Sequence, residues 1–417
     1  MKRLPATTVF YGLELLLSFP TFVVMAVYLV RELHFTPLEL VLMGTAMEAA
    51  VFLFEIPTGV VADTYSRRLS LIIGYLGMGA AWALVAVVSA PWAVIALWAF
   101  WGISYTFTSG AYQAWITDEV GRENIGSLFL RGKRLGYIGA VVGLGVQVAL
   151  GVWSLRAGII AGGAVTIGCG IGSIFLMPET SFVRRPRSER GSAFDELRKT
   201  ASAGARYAWA APIVLLLIVA ELFMGMSSEA FDRLKEAHFL RDVGLPAIGH
   251  LQPVVWFGLF YLAGMVIGFA AIGRVIKWVE RGGQSVVARA LFGFTLLEMA
   301  AMLVFALTGS VWLAIAALLG IFFARDFAWP LYDTWLNMQI TDSSVRATVI
   351  SISGQANAIG QAGGGPVLGV IGNVWGIRAA LAAGAVVIAP ALALYGRAIA
   401  HHGREPELEE LSAPEAV

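Results

Sequence analysis

Cysteine is nearly absent. Cys169 stands alone in 417 residues, so no disulfide can form within the chain. Its place inside an apolar run points to packing rather than chemistry. Charge is sparse, 14% of residues, and balanced at 29 Lys plus Arg against 28 Asp plus Glu, which offers no basic surface to nucleic acid. The five histidines keep no metal-ligand spacing with cysteine or acid, so no resident metal is expected. No phosphate-cradling glycine loop precedes a lysine, which excludes an ATP-driven motor within this chain. No serine sits in a nucleophile motif. An enzyme and a cofactor are therefore not expected.

Apolar residues fill the space that charge leaves. They make up 58% of the chain, and the mean hydropathy is +0.76. A soluble domain cannot bury that much apolar surface, whereas a bilayer accommodates it. About twenty apolar residues span the hydrocarbon layer as a helix, and the runs here are continuous rather than alternating, which selects helices over a barrel. The spacing predicts an all-α integral membrane protein with twelve crossings at 8–31, 38–61, 69–90, 92–117, 133–155, 157–177, 211–234, 250–279, 286–308, 311–337, 346–374 and 377–399. The first run is too long for a secretory signal, and Pro20 interrupts it. With the N-terminus in the cytoplasm, 22 of the 29 basic residues fall on the cytoplasmic side, so both termini are expected inside, in the inner membrane.

One long break in hydropathy, 178–210, separates six segments from six. It divides the chain into an N-terminal bundle (1–177), a cytoplasmic linker (178–210), a C-terminal bundle (211–400) and a tail (401–417). The linker carries Arg184, Arg185, Arg187 and Arg190. It then shows Phe194, Leu197, Ala201 and Ala205 at helical spacing behind Ser192 and Asp195, the pattern of a helix lying on the membrane. The halves echo each other. Arg31-Glu-Leu-His34-Phe35 returns as Lys235-Glu-Ala-His238-Phe239, 204 positions on. Tyr112-x-x-Trp115 returns as Tyr332-x-x-Trp335, and Gly143 and Gly145 as Gly363 and Gly365, both at 220. Three echoes indicate a duplicated six-helix unit, an architecture that places a substrate site near the midplane where the repeats meet.

Between the second and third segments runs Gly59-Val-Val-Ala-Asp63-Thr-Tyr-Ser-Arg67-Arg68-Leu-Ser-Leu71. This loop resembles the corresponding loop of the major facilitator superfamily of secondary transporters. Thr64 and Ser66 stand where that family has a basic residue and a glycine. The resemblance covers nearly the whole chain. It implies that segments 1, 4, 7 and 10 line a central cavity and that Gly59 allows close helix approach. It further implies that Asp63 caps the start of segment eleven near Arg346, and that Arg67 and Arg68 pair with Asp118 or Glu119. Together these would form a cytoplasmic gate. The lead-in Glu55-Ile-Pro57-Thr58-Gly59 and the glycine-rich segments five and eleven look most like the bacterial drug/proton antiporter branch. The Gly-Pro of that branch is found here in segment eleven, as Gly365-Pro366.

Ionisable residues within membrane segments each cost at least about 2.5–3.5 kcal/mol at the bilayer centre unless paired or facing water. Asp326, Glu221, Glu48, Glu14 and Glu55 are the candidates to carry a coupling proton. Glu298, on an expected outer segment, reads as a structural partner. Arg325 is a candidate either to pair with Asp326 or to meet an anionic substrate. Tyr11, Phe19, Trp101, Tyr105, Phe223, Trp329, Tyr332 and Asp333 are candidates to line the substrate cavity, and Glu229, Asp232 and Arg233 read as a solvated rim. An aromatic cavity holding carboxylates suits amphipathic, cationic molecules. The expectation is a monomeric transporter in the lipid bilayer that exports such small-molecule substrates against protons. An uptake symporter or facilitator for a small anionic metabolite is the alternative.

Overall fold

The computed structural model describes residues 3–123, 125–182 and 202–402. The linker arginines, the expected surface helix from Ser192 to Ala201 and the tail beyond 402 lie outside the described residues; 202–210 is helical. No strand occurs among the described residues.

The chain divides into two compact units, 1–192 with 247–259, and 193–246 with 260–417. In the first unit, α1 (Ala6–Leu17) and α2 (Phe22–Arg31) form the first expected crossing. They part at Ser18–Thr21, where Pro20 lacks an amide proton and its ring crowds the carbonyl four residues back. α3 (Pro37–Thr64) starts from a capping box: Thr36 accepts from the Glu39 amide, and the Glu39 carboxylate accepts from the Thr36 amide. α4 (Arg67–Val85) is capped by Ser66, whose hydroxyl accepts from the Leu69 amide at 2.9 Å. The backbone of Ser66 is extended, φ −176°, so the glycine that the family carries here is not needed for a left-handed turn. The expected crossing at 92–117 is broken into α5 (Pro91–Thr106) and α6 (Ala111–Val120). Hydroxyls of Thr106 and Thr108 donate to nearby carbonyls at the break, and Gly110 takes φ +68°, a conformation that glycine adopts without strain. α7 (Ile125–Trp153) begins earlier than hydropathy suggested, and α8 (Leu155–Leu176) closes the unit.

In the second unit, α9 (Pro212–His238) ends in a π-turn, Phe239–Val243. One helical stretch, Pro253–Leu307, is broken at Gly283 (φ 61°) into α10 (Pro253–Val279) and α11 (Arg281–Leu307). α12 (Val311–Gln339), α13 (Arg346–Trp375) and α14 (Ile377–His402) follow. Among the described residues, ten spans are long and apolar enough to cross a membrane. The other two expected crossings are the broken α5–α6 pair and the glycine-rich, thirty-residue α13.

Lipid is as apolar as leucine, so helices in a bilayer associate through close packing more than through the hydrophobic effect. Glycines supply it here. A Cβ on Gly139 of α7 would lie 2.0 Å from the Leu15 carbonyl of α1, and one on Gly360 of α13 would lie 2.0 Å from the Leu222 carbonyl of α9. Gly143 meets Phe19, and Gly364 meets Met226, in the same two interfaces. The repeat is therefore in register at 221 positions between these helices, one residue from the echo read in the sequence. Gly145 and Gly363 have nothing within 4 Å of an added Cβ. Gly139→Ala is expected to destabilise the protein by about 1–3 kcal/mol, because α1 must move off α7. Gly145→Ala is expected to leave it unchanged. Thermal unfolding of both variants in detergent checks the contrast.

The two echoed tryptophans anchor the two cores. Trp115 is 1% exposed and donates to the Pro178 carbonyl at 2.7 Å, and Trp335 is fully buried against Tyr395.

Candidate functional site

Each unit contains a cavity, and the two differ in chemistry. The first unit's cavity, of about 400 Å³, is aromatic. Trp101 stacks on Trp82 (ring centroids 5.9 Å apart, 22° between planes) and on Tyr105 (5.5 Å, 8°), and Phe22 stands edge-on to both tryptophans. Phe19 and Tyr112 complete the wall. Of the residues expected there, Phe19, Trp101 and Tyr105 line it. Tyr11 instead packs against Phe10 and the core. Phe22 and Trp82 were not among the candidates. Pro20 was the available signal for Phe22, because the break it causes re-aims the start of α2. Trp82 lies on a segment that the family pattern keeps outside.

The carboxylates of this unit have separate surroundings. Glu14 backs onto α7, its Oε2 3.5 Å from where a Cβ on Gly136 would sit. Glu55 accepts a hydrogen bond from the Ser109 hydroxyl at 2.7 Å. Glu48, one face along α3, is half-buried.

At the α3–α4 loop, Arg67 pairs with Asp118 of α6, donates to the Ala114 carbonyl at 2.8 Å, and lies 3.7 Å from the exposed Asp63. Arg68 does not pair with Asp118 or Glu119. Its side chain donates to the Ser173 and Ile174 carbonyls at the end of α8, and its amide donates to Glu179. Glu179 also accepts from Ser66 at 2.6 Å, while Glu119 accepts from the Thr180 and Ser181 amides. The loop is thus tied to the chain leaving α8 through Glu179. Among the described residues nothing lies within 4 Å of a Cβ added at Gly59. Arg346, at the start of α13, donates to the Ile340 carbonyl at 3.0 Å. In the turn before it, the hydroxyl and amide of Ser344 both donate to Asp342, holding that carboxyl below its usual range.

The second unit's cavity, of about 280 Å³, is polar. Glu221 of α9, Arg325, Trp329, Tyr332 and Asp333 of α12, and Ser353 and Asn357 of α13 line it. Asn357 donates to Glu221 Oε2 at 2.7 Å and accepts from Gln361 at 2.8 Å, and the Tyr332 and Ser353 hydroxyls are 2.6 Å apart. Arg325 does not pair with its neighbour Asp326. Its Nε donates to Glu298 Oε1 at 2.6 Å and its Nη1 to Asp232 Oδ1 at 2.8 Å, with the guanidinium 4.5 Å from the centre of the Phe231 ring. Glu298 is thus the structural partner that its outer segment suggested. Asp232 keeps the exposed side chain expected of a rim residue while pairing with Arg325, whereas Glu229, 1% exposed, is buried and pairs with Arg233. Asp326 lies outside this cavity, against Gly268 of α10, and Phe223 packs into the core. Neighbours on a helix diverge by about 100°, which is why Arg325 enters the cavity and Asp326 does not.

Comparison with known proteins follows the same lines. The profile described as Major Facilitator Superfamily matches residues 8–337. A protein of Bacillus subtilis (strain 168), described as the uncharacterized MFS-type transporter YxaM, is 22% identical over 367 residues, 86% of each chain. Among solved structures, the nucleoside transporter NupG superposes with a TM-score of 0.73 at 12% identity, covering 94% of this chain and 98% of that one. A bacterial homolog of the human lysosomal transporter Spinster, inward-facing and unoccupied, superposes with a TM-score of 0.69 at 15% identity, covering 95% and 96%. At these identities the superpositions establish the shared fold.

Proposed function

This chain belongs to the Major Facilitator Superfamily of multi-pass membrane transporters, and we propose that it exports amphipathic or cationic small molecules in exchange for protons. The observation that carries this reading is the charge balance of the second unit's cavity. Glu221 and Asp333 line its wall, and among the described residues no cationic side chain pairs with either. The one cation there, Arg325, is already held by two carboxylates. A surplus of negative charge on a cavity wall within the membrane segments calls for a cation or a proton. The hydrogen-bond donor to Glu221 is the neutral Asn357, whose amide can donate to the carboxyl in either protonation state. A proton and a cationic substrate then compete for one carboxylate. Protonation releases the cation, and loss of the proton readies the site again.

The aromatic cavity of the first unit supports the amphipathic half of the reading. Stacked tryptophan and tyrosine faces hold flat apolar groups and attract cations. The abundance of basic residues in the expected cytoplasmic loops supports an inner-membrane protein with both termini inside. The resemblance of the α3–α4 region to drug/proton antiporters supports export by alternating access. A single chain supplies both cavities, which is consistent with a monomer. Uptake of an anionic metabolite, the alternative, would call for a free cation, and the pairing of Arg325 with Glu298 and Asp232 favours export over it.

The test is made in everted membrane vesicles that respiration has made acidic inside. Adding a lipophilic cation such as tetraphenylphosphonium is expected to discharge the internal acidity as the cation accumulates. Cation and protons moving together in the same direction would overturn the reading.

A further inference from the structure

His238, the last residue of α9, has no exposed surface. Its Nδ1 lies 2.9 Å from Asp242 Oδ2, one turn on, and its Nε2 lies 2.9 Å from the Phe305 carbonyl oxygen near the end of α11. The ring stands edge-on to Phe305, with centroids 4.9 Å apart.

A backbone carbonyl can only accept, and an ionised carboxylate can only accept. A neutral imidazole brings one N–H and one lone pair. With the proton on Nδ1, the Nε2 lone pair faces the carbonyl oxygen at 2.9 Å. With the proton on Nε2, the Nδ1 lone pair faces the carboxylate. Both contacts are satisfied only when the pair holds one further proton, on the ring or on the carboxyl.

The segment this proton secures has few bonds of its own. Phe239–Val243 is a single π-turn, closed by the Gly244 amide donating to the Phe239 carbonyl at 2.9 Å, with Gly244 at φ +87°. Isolated π-turns are marginal geometry and recur at functional positions. Arg378 of α14 reaches the same place, donating to the Asp242 and Leu307 carbonyls at 3.3 Å each. Among the described residues, the titratable groups near the histidine in sequence are Lys235 and Glu236 on α9, 3.4 Å apart, and Arg241 within the turn; Tyr261 of α10 donates to Glu236 at 3.1 Å. At this end α11 offers the Phe305 and Leu307 carbonyls. The sequence echo of His238 is His34, which is exposed, at φ +55°. The arrangement belongs to the second unit alone.

We propose that the His238–Asp242 pair is a proton-binding site that, when occupied, locks the 239–243 turn to the end of α11. Loss of the proton sets a lone pair against an acceptor and releases one of the two ties. The site is distinct from Glu221, and it operates whatever the substrate is.

Amide hydrogen exchange of the full-length protein in detergent, corrected for intrinsic rates across about pH 5–9, tests it. In the wild-type protein, protection of 239–243 is expected to fall roughly five- to tenfold as pH rises, the scale of one hydrogen bond. The interior of α9 should keep its protection. His238→Gln cannot titrate and is expected to show protection that is flat with pH. Asp242→Asn lets a neutral His238 donate to Phe305 and accept from the new amide, so its turn should remain protected even at high pH. A flat wild-type profile, or a wild-type pH dependence surviving in His238→Gln, overturns the proposal. Should His238→Gln fail to fold, wild-type pH dependence persisting in Asp242→Asn overturns it equally.

Discussion

Glu221→Gln is expected to lower proton-driven export by on the order of a hundredfold, about 3 kcal/mol at roughly 1.4 kcal/mol per tenfold. Glutamine keeps the shape of the protonated carboxyl, and its carbonyl can still accept from Asn357, so the 2.7 Å contact survives. Thermal stability should therefore change little. What is lost is the charge that holds a cation and the proton that displaces it. The sign with pH follows. In the wild-type protein a proton competes with the cation, so cation binding weakens as pH falls and strengthens as it rises. In Glu221→Gln binding should be weak at every pH, with no slope. Titrating a fluorescent lipophilic cation against purified protein at several pH values reads this directly. A variant that keeps the wild-type slope would move the coupling role to Asp333, the other unpaired carboxylate of the cavity wall.

Arg325→Met is expected to cost about 3–5 kcal/mol of stability, the range for breaking a buried ion pair from one side. It strands Glu298, whose side chain is 1% exposed, and deprives Asp232 of its partner. Removing the charges together should behave differently. The triple variant Arg325→Met, Glu298→Gln, Asp232→Asn should recover much of the loss, because exchanging the buried Arg325–Glu298 pair for uncharged groups is often near neutral and Asp232 has an exposed side chain. Arg325→Lys should rescue only in part. Arginine reaches two carboxylates with two different nitrogens and lies over the Phe231 ring, while lysine brings one compact ammonium. Unfolding in detergent ranks the four proteins. If Arg325 were instead an anion-binding residue, Arg325→Met would abolish transport and leave stability intact, so the same measurement separates the two roles.

Much of this protein is legible along the chain because crossing a membrane is a linear demand. A helix rises 1.5 Å per residue, and the hydrocarbon layer has one thickness, so apolar length alone located the crossings. The break of α5 from α6 escaped the hydropathy reading because Thr106, Thr108 and Gly110 turn the backbone without making the segment more polar. The tryptophan echo at 220 positions was visible in the sequence, while the glycines of α7 and α13 match at 221 rather than 220. Their register is set by which glycine admits a neighbouring carbonyl, as Gly139 admits Leu15 and Gly360 admits Leu222.

The sequence by itself determined that this is an all-helical membrane transporter and that a few carboxylates sit where charge is costly. Only the tertiary structure decided their partners. It gave Arg325 to Glu298 and Asp232 rather than to Asp326, Arg68 to the end of α8 and Glu179, and His238 to Asp242 and Phe305. It left Glu221 with an amide alone. Hydropathy sums along the chain, whereas pairing depends on the rotation of each helix about its own axis, and that angle is fixed by packing against helices far away in sequence.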